Sequence, residues 1–403
     1  MKRWFQIVAL LSVTAFAGAD GIVRGMSVAQ QYSTSGFLTS LTFDEAGTMH
    51  YTTRSGDIRR FVDGKDELIA HVPSADVGNS ALLGMAFDPD GSIIVHYVAP
   101  DLSADVVSRV DPETGDVSIV AEITCTEIQV NCASEHHGGN PFVARDGSIY
   151  VAVGDYGLET LAQNPASSGG KIYRVSREGV ITQFAKGVRN PFDMAWDEEN
   201  ERLVFTDNGP VGNDEFNVAG AGSNMGWPLT MGHQPPIEGT VAPGYVFEGT
   251  VAPTGVALVG RVPNYFRGGA LVTAFASERL YFFPSLDPVV APIVLVDKQA
   301  PMLIDVAVDP DGHVWFASPF TIYRLDVPRR GDVDGDGVVD FRDYLALIRE
   351  IDDGDGVSVF DVEGGSFPGT WGADADLDRV IGEGDLRELS WMLWGRQRGV
   401  SRR

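Results

Sequence analysis

A short pattern returns six times along the 403-residue chain: an apolar residue, an acidic turn with Gly or Asn, then an alternating run. The copies are "LTFDEAGTMHYTT" from Leu41, "MAFDPDGSIIVHYV" from Met85, "FVARDGSIYVAVGD" from Phe142, "MAWDEENERLVFTDNG" from Met194, a weaker "YFRGGALVTAF" from Tyr265, and "VAVDPDGHVWFAS" from Val306. In each, Asp or Asn with Gly reverses the chain between two strands, and Val, Ile, Tyr and Phe alternate along the strand that follows. Repeats about 40 to 70 residues apart are of propeller-blade size. They predict an all-β, six-bladed β-propeller over 20–327, with a large β-sandwich of similar hairpins as the alternative. The 47 glycines and 22 prolines agree with a turn-rich β body.

The first 19 residues read as a secretory signal peptide: Lys2 and Arg3, an apolar run from Trp4 to Phe16, then Ala17, Gly18 and Ala19. That run is shorter than the ~20 residues a bilayer span needs, so no membrane span is expected. The expected location is secreted, extracellular or periplasmic. A formal net charge of −26 repels nucleic acid and anionic membrane surfaces, and makes metal cations the natural partners. The two cysteines, Cys125 and Cys132, are expected to close a short loop as a disulfide.

After Leu325 the texture changes, and a second domain is expected over 328–403. Asp332, Asp334 and Asp336 alternate, Gly337 takes the sixth place, Asp340 the ninth and Asp343 the twelfth, which is EF-hand loop spacing for calcium. The carbonyl of Val338 fills the seventh place, and Tyr344, Leu347, Ile348 and Ile351 then follow helical spacing. A second loop offers Asp374, Asp376, Asp378, the carbonyl of Val380 and Asp385, followed by Leu386, Leu389 and Leu393. Arg379 stands at its turn-glycine place and Gly382 at its ninth, which predicts weaker binding there. The alternative is two Asp-rich turns that bind nothing.

This tandem, from Gly331 to Gly395, resembles a type I dockerin. The resemblance implies a small all-α, calcium-binding domain that docks onto a cohesin module of a scaffold or cell-surface partner. The gap between the loops is longer than usual for that family.

The stretch "ASEHHGGNPF", Ala133 to Phe142, sets two of the seven histidines side by side ahead of a blade strand. A neutral histidine in a loop lining a propeller channel suits a general base, and adjacent glycines let a flat ligand approach the backbone. Two hydrogen-bonded structural histidines are the alternative. A second cluster, "GVRNPFDMAWDEENERLVFTDNGPVGNDEFNVAGAGSNMGWP", spans Gly187 to Pro228.

Together these stretches resemble the soluble, pyrroloquinoline-quinone (PQQ)-dependent glucose/sorbosone dehydrogenase family of six-bladed propellers. The matching motifs are His136 to Gly139, Arg189 to Pro191, Gly209-Pro210, Asp214-Glu215, Gly226 to Pro228, and "ALLGMAFDPD" from Ala81. The resemblance implies oxidation of a sugar or polyol. His136, rather than His137, would take the hydroxyl proton, Arg189 would stabilise charge on the quinone oxygen, and Asn190 and Thr250 would hold the cofactor. The carbonyls of Gly209 and Pro210 would bind a calcium, and Asp214 and Glu215 a second, structural one. Asn79 stands at a substrate-contacting position.

The sequence departs from the family where a Lys and two Arg neutralise the cofactor's carboxylates, since Ala276, Met302 and Ile304 occupy those places. Burying carboxylates without counter-charge is costly, and Arg279 is the nearest substitute in sequence. Two other functions therefore stay open: a non-catalytic binding or scaffold propeller that lost the cofactor, and a calcium-dependent lactone hydrolase.

Overall fold

The computed structural model describes residues 21–125, 135–260, 264–353, 358–363 and 369–395. The expected signal peptide and Cys132 lie outside them. Cys125 is disulfide-bonded, and no described cysteine is free.

Among the described residues, twenty-four strands form six four-stranded antiparallel sheets, which are the six blades. Blades 1 to 5 occupy 38–71, 82–124, 142–186, 191–246 and 253–297 in chain order. Blade 6 joins the three strands of 305–326 to Ser27–Ser33, which pairs antiparallel with Thr321–Asp326. The first and last parts of the propeller thus share one sheet, which closes the ring and removes two free edges.

The first strand of each blade faces the central axis, and each repeat read from the sequence marks the hairpin from that strand to the second. Second strands such as Met49–Thr53, Ile149–Val153 and Ala270–Ala274 are buried at every residue, because neighbouring blades cover both faces. Each aliphatic side chain so enclosed stabilises the fold by about 1.5–3 kcal/mol before entropy is counted. Outer strands such as Val117–Thr124 return to alternation because their outer face meets water.

The C-terminal segment forms α1, Phe341–Asp353, and α2, Glu383–Trp394, each following an Asp-rich loop. Leu347 and Leu389 are fully buried between them. The segment is not packed by itself. Val333, Leu347, Trp371 and Leu389 belong to one apolar cluster with Phe266, Phe282 and Phe316 of blades 5 and 6. Trp371 stands at the centre, against Tyr265, Phe266, Phe282 and Phe360.

Candidate active site

His136 and the two glycines after it lie where the chain enters blade 3. A Cβ on Gly138 would sit 2.1 Å from the carbonyl oxygen of Ala152, and one on Gly139 would sit 1.7 Å from that of Phe192. Only glycine lets the loop press so close to the second strand of blade 3 and the first strand of blade 4. His136 takes a left-handed backbone, φ 55°, that turns its ring toward blade 3.

There Nδ1 of His136 lies 2.6 Å from Oδ1 of Asp155, a residue 1% exposed. The other Asp155 oxygen accepts Nε1–H of Trp227 at 2.9 Å, and its backbone N–H donates to the carbonyl of Arg189. An ionised carboxylate only accepts, so Nδ1 carries the proton and Nε2 is left as the basic atom. Asp155 was not singled out in the sequence, although it ends the quoted strand "SIYVAVGD".

His137 does different work. It is 1% exposed and its Nδ1 bonds both oxygens of buried Asp105, which also accepts from the Tyr156 hydroxyl at 2.9 Å. His96 approaches the same carboxylate at 3.5 Å and bonds the Gly139 carbonyl through Nδ1. Burial alone would raise the Asp105 pKa, but the charges and hydrogen bonds of His137 and His96 outweigh it and bring it down to about 2. The doubled histidine is therefore one ring at the mouth and one brace beneath it.

Arg189 and Asn190 are set by Asp207, whose two oxygens accept their backbone N–H groups at 3.0 and 2.7 Å. Burial, and then nearby Glu215, push Asp207 up to about 8. The Arg189 guanidinium lies over the Trp227 ring and donates to the carbonyls of Asn208 at 2.8 Å and Gly209 at 3.3 Å. The Pro210 carbonyl accepts from Asn213, so each carbonyl expected to face calcium keeps one lone pair. Asp214 accepts from the N–H groups of Gly209, Val251 and Ala252, and Glu215 from Asn217 and Gly232. These acids tie the rim loops together.

A cavity of about 330 Å³ opens at this mouth, lined by Asn79, Gly138, Gly139, Asn190 and Asn208 on one side and by Phe275 and Ile304 on the other. Thr250 does not line it: that residue is exposed and its hydroxyl accepts the Gly212 N–H. The expected counter-charge set is apolar here, since Ala276 and Met302 are exposed and Ile304 forms wall. Arg279 is no substitute, because it is held by Asp297 through two hydrogen bonds of 3.0 and 3.1 Å. The charged side chain that does line the cavity is Arg54 of blade 1, anchored on Asp76 and on the carbonyls of Gly78 and Ser80 that flank Asn79. Nothing in the repeat pattern pointed to it, as it sits on a hairpin turn.

In the C-terminal loops, carboxylate oxygens of Asp332, Asp334 and Asp343 lie within 4.8 Å of one another, as do those of Asp374, Asp376 and Asp378. Asp336, Asp340 and Asp385 fall outside these two groups, and Asp385 instead accepts from Asp376 and Gly382 N–H groups. Val338 and Val380 are exposed, at 55% and 50%. Burial raises Asp332 and Asp343, and pushes Asp374 and Asp385 up to about 6. Arg379, at φ 69°, sends its side chain to the carbonyls of Pro284 and Arg267 on blade 5 and over Phe282.

Among curated proteins, the chain is 23% identical over 353 residues to the aldose sugar dehydrogenase YliI of Escherichia coli (strain K12), covering 78% of this chain and 95% of that one. It is 24% identical over 200 residues to quinoprotein glucose dehydrogenase B of Acinetobacter calcoaceticus, covering 39% and 41%. Among solved structures, the PQQ-bound aldose sugar dehydrogenase of Streptomyces coelicolor superposes with a TM-score of 0.65 at 22% identity, over 75% of this chain and 98% of that one. The apo aldose sugar dehydrogenase of E. coli gives 0.66 at 21%, over 75% and 100%. At such identities the structural likeness establishes the fold, a six-bladed propeller. The Glucose / Sorbosone dehydrogenase family model matches residues 38–319, and the chain belongs to that family.

Proposed function

We propose that this protein is an exported PQQ- and calcium-dependent oxidoreductase that oxidises a sugar or polyol, tethered through its C-terminal module. The observation that carries the reading is the His136–Asp155 pair, on a loop whose Gly138 and Gly139 wall the cavity together with Asn190 and with Asn208, the carbonyl partner of Arg189. The donor set suits a planar quinone at its reactive end: a backed base, a guanidinium, an amide and two carbonyls with lone pairs to spare. At the carboxylate end the fit rests on Arg54.

The cofactor would supply the hydride acceptor. Nε2 of His136 takes the proton of the substrate hydroxyl, and Asp155 stabilises the imidazolium that results and holds its tautomer. Trp227 keeps Asp155 from turning away. Arg189 presents positive charge where electron density arrives, and Asn79 meets the sugar from the blade 2 rim. Calcium would bind at Gly209 and Pro210, with Asp214 and Glu215 serving a second ion. The C-terminal loops would take calcium, and the module would engage a cohesin-like partner. It packs against the turns of blade 5 at the face opposite the cavity, so tethering leaves the mouth open.

Calorimetric titration of PQQ into the full chain in calcium tests the reading. Binding that His136→Ala/Arg189→Ala weakens, with oxidation of an aldose by the parent, is expected. A parent that binds no PQQ would leave the second reading, a binding propeller, which the apolar Phe275 and Ile304 wall favours.

A further inference from the structure

Five inner strands, and in blade 3 the chain just ahead of its inner strand, each place one residue between the two ends of the channel: Ser40, Gly84, Asn140, Asp193, Gly255 and Asp305. On one side, their chain neighbours Thr39, Leu83, Gly139, Phe192, Thr254 and Ile304 all line the mouth cavity. On the other, Leu41, Met85, Pro141, Met194, Val256 and Val306 line a cavity of about 500 Å³ that opens to the opposite face. The six positions form the waist of the channel.

The waist is crowded with oxygen. Ser40, Asn140, Asp193 and Asp305 are 1%, 5%, 5% and 1% exposed. Asp305, on blade 6, accepts the Leu41 N–H of blade 1 at 2.6 Å; Asp193, on blade 4, accepts the Val256 N–H of blade 5 at 2.7 Å. Nδ2 of Asn140 reaches across the axis to Asp305 at 3.2 Å. Its Oδ1 has no hydrogen-bond partner among the described residues and points into the space that Gly84 leaves, where a Cβ would sit 1.9 Å away. A half-turn of the amide exchanges its two ends and sets Oδ1 toward the carboxylates.

Two carboxylates enclosed together need a positive partner or a proton. Among the described residues, the basic side chain lining this end of the channel is Arg145, which is 88% exposed and pairs with Glu198.

We propose that the channel waist is a binding site for one hard divalent cation, with calcium as the probe, held by Asp193, Asp305, the Asn140 amide oxygen and the Ser40 hydroxyl. Oxygen-only donors of this kind suit calcium, and water from the lower cavity completes the shell. The ion bridges blades 1, 3, 4 and 6 and plugs the channel beneath the mouth. It is separate from the calcium expected at Gly209 and Pro210 and from the C-terminal loops.

The test is calcium content by mass spectrometry after equilibrium dialysis of the full chain at micromolar free calcium. Asp193→Asn/Asp305→Asn is expected to hold one ion fewer per chain than the parent, and its melting temperature to rise less on calcium addition. Asp374→Asn/Asp376→Asn, which touches only the second C-terminal loop, must leave that waist difference in place. Asn140→Ala, which keeps both acids, is expected to weaken the same ion about tenfold and provides the comparison if the double variant fails to fold. Equal ion counts in parent and waist variants would overturn the proposal and leave the acids sharing a proton.

Discussion

The propeller has two unlike halves. Blades 2 to 4 surround the mouth with polar groups in one connected network: His137 on Asp105, His136 on Asp155, Trp227 on Asp155, Arg189 and Asn190 on Asp207. Blades 5 and 6 meet the same mouth with Phe275 and Ile304, and at their far end they bury Phe266, Phe282 and Phe316 against the C-terminal module. One half is organised by hydrogen bonds that position charge, and the other by apolar contact. Under the proposed function, proton transfer at His136 and counter-charge at Arg54 would reside on different blades and be separable by mutation.

Breaking the polar half should have the largest effect. Asp155→Asn leaves the ring without a carboxylate to fix its tautomer, and turnover in a PQQ-loaded sugar assay is expected to fall by about 10²–10⁴, as general-base losses do, with little change in melting temperature. A variant with parental turnover would remove His136 from the chemistry.

Next comes the brace under that half. Asp105 titrates at about 2 when folded against 3.8 as a free side chain. Its stabilisation is thus full above about pH 4 and is lost as pH falls through about 2. Asp105→Asn should cost on the order of 2 kcal/mol at neutral pH, judged from a shift of that size, and should flatten the acid limb of the stability curve. Denaturant melts from pH 2 to 7 read both. A slope unchanged below pH 4 would assign the acid sensitivity to other carboxylates.

Counter-charge gives a smaller change. Arg54→Gln should weaken PQQ binding by about tenfold, near 1.4 kcal/mol, while Ile304→Arg should recover a similar amount by placing a cation on the apolar half. If Ile304→Arg has no effect on affinity, the cofactor's carboxylates do not face blade 6.

The smallest effect is expected at the module. Arg379→Gly gives the second loop the residue its left-handed turn favours, yet removes the contacts with Pro284 and Arg267. Calcium affinity there should rise a few-fold while amide exchange quickens around Trp371. Unchanged exchange would mean that the apolar cluster alone holds the module.

The sequence by itself determined the number of blades, because each hairpin needs its own Asp, Asn or Gly turn and each strand its own alternation. It also singled out His136, Arg189, Asn190 and both acidic loops as candidates, because their defining neighbours lie within a few residues. Tertiary structure decided the rest. Asp155 meets Trp227 from 72 positions away, and Asn140 meets Asp305 from 165. Arg54 reaches the mouth from blade 1 while Arg279, next to the expected place in sequence, is taken by Asp297. A closed ring brings together residues from blades far apart in the chain, and which side chains meet on its axis depends on register and bulges that no local pattern encodes.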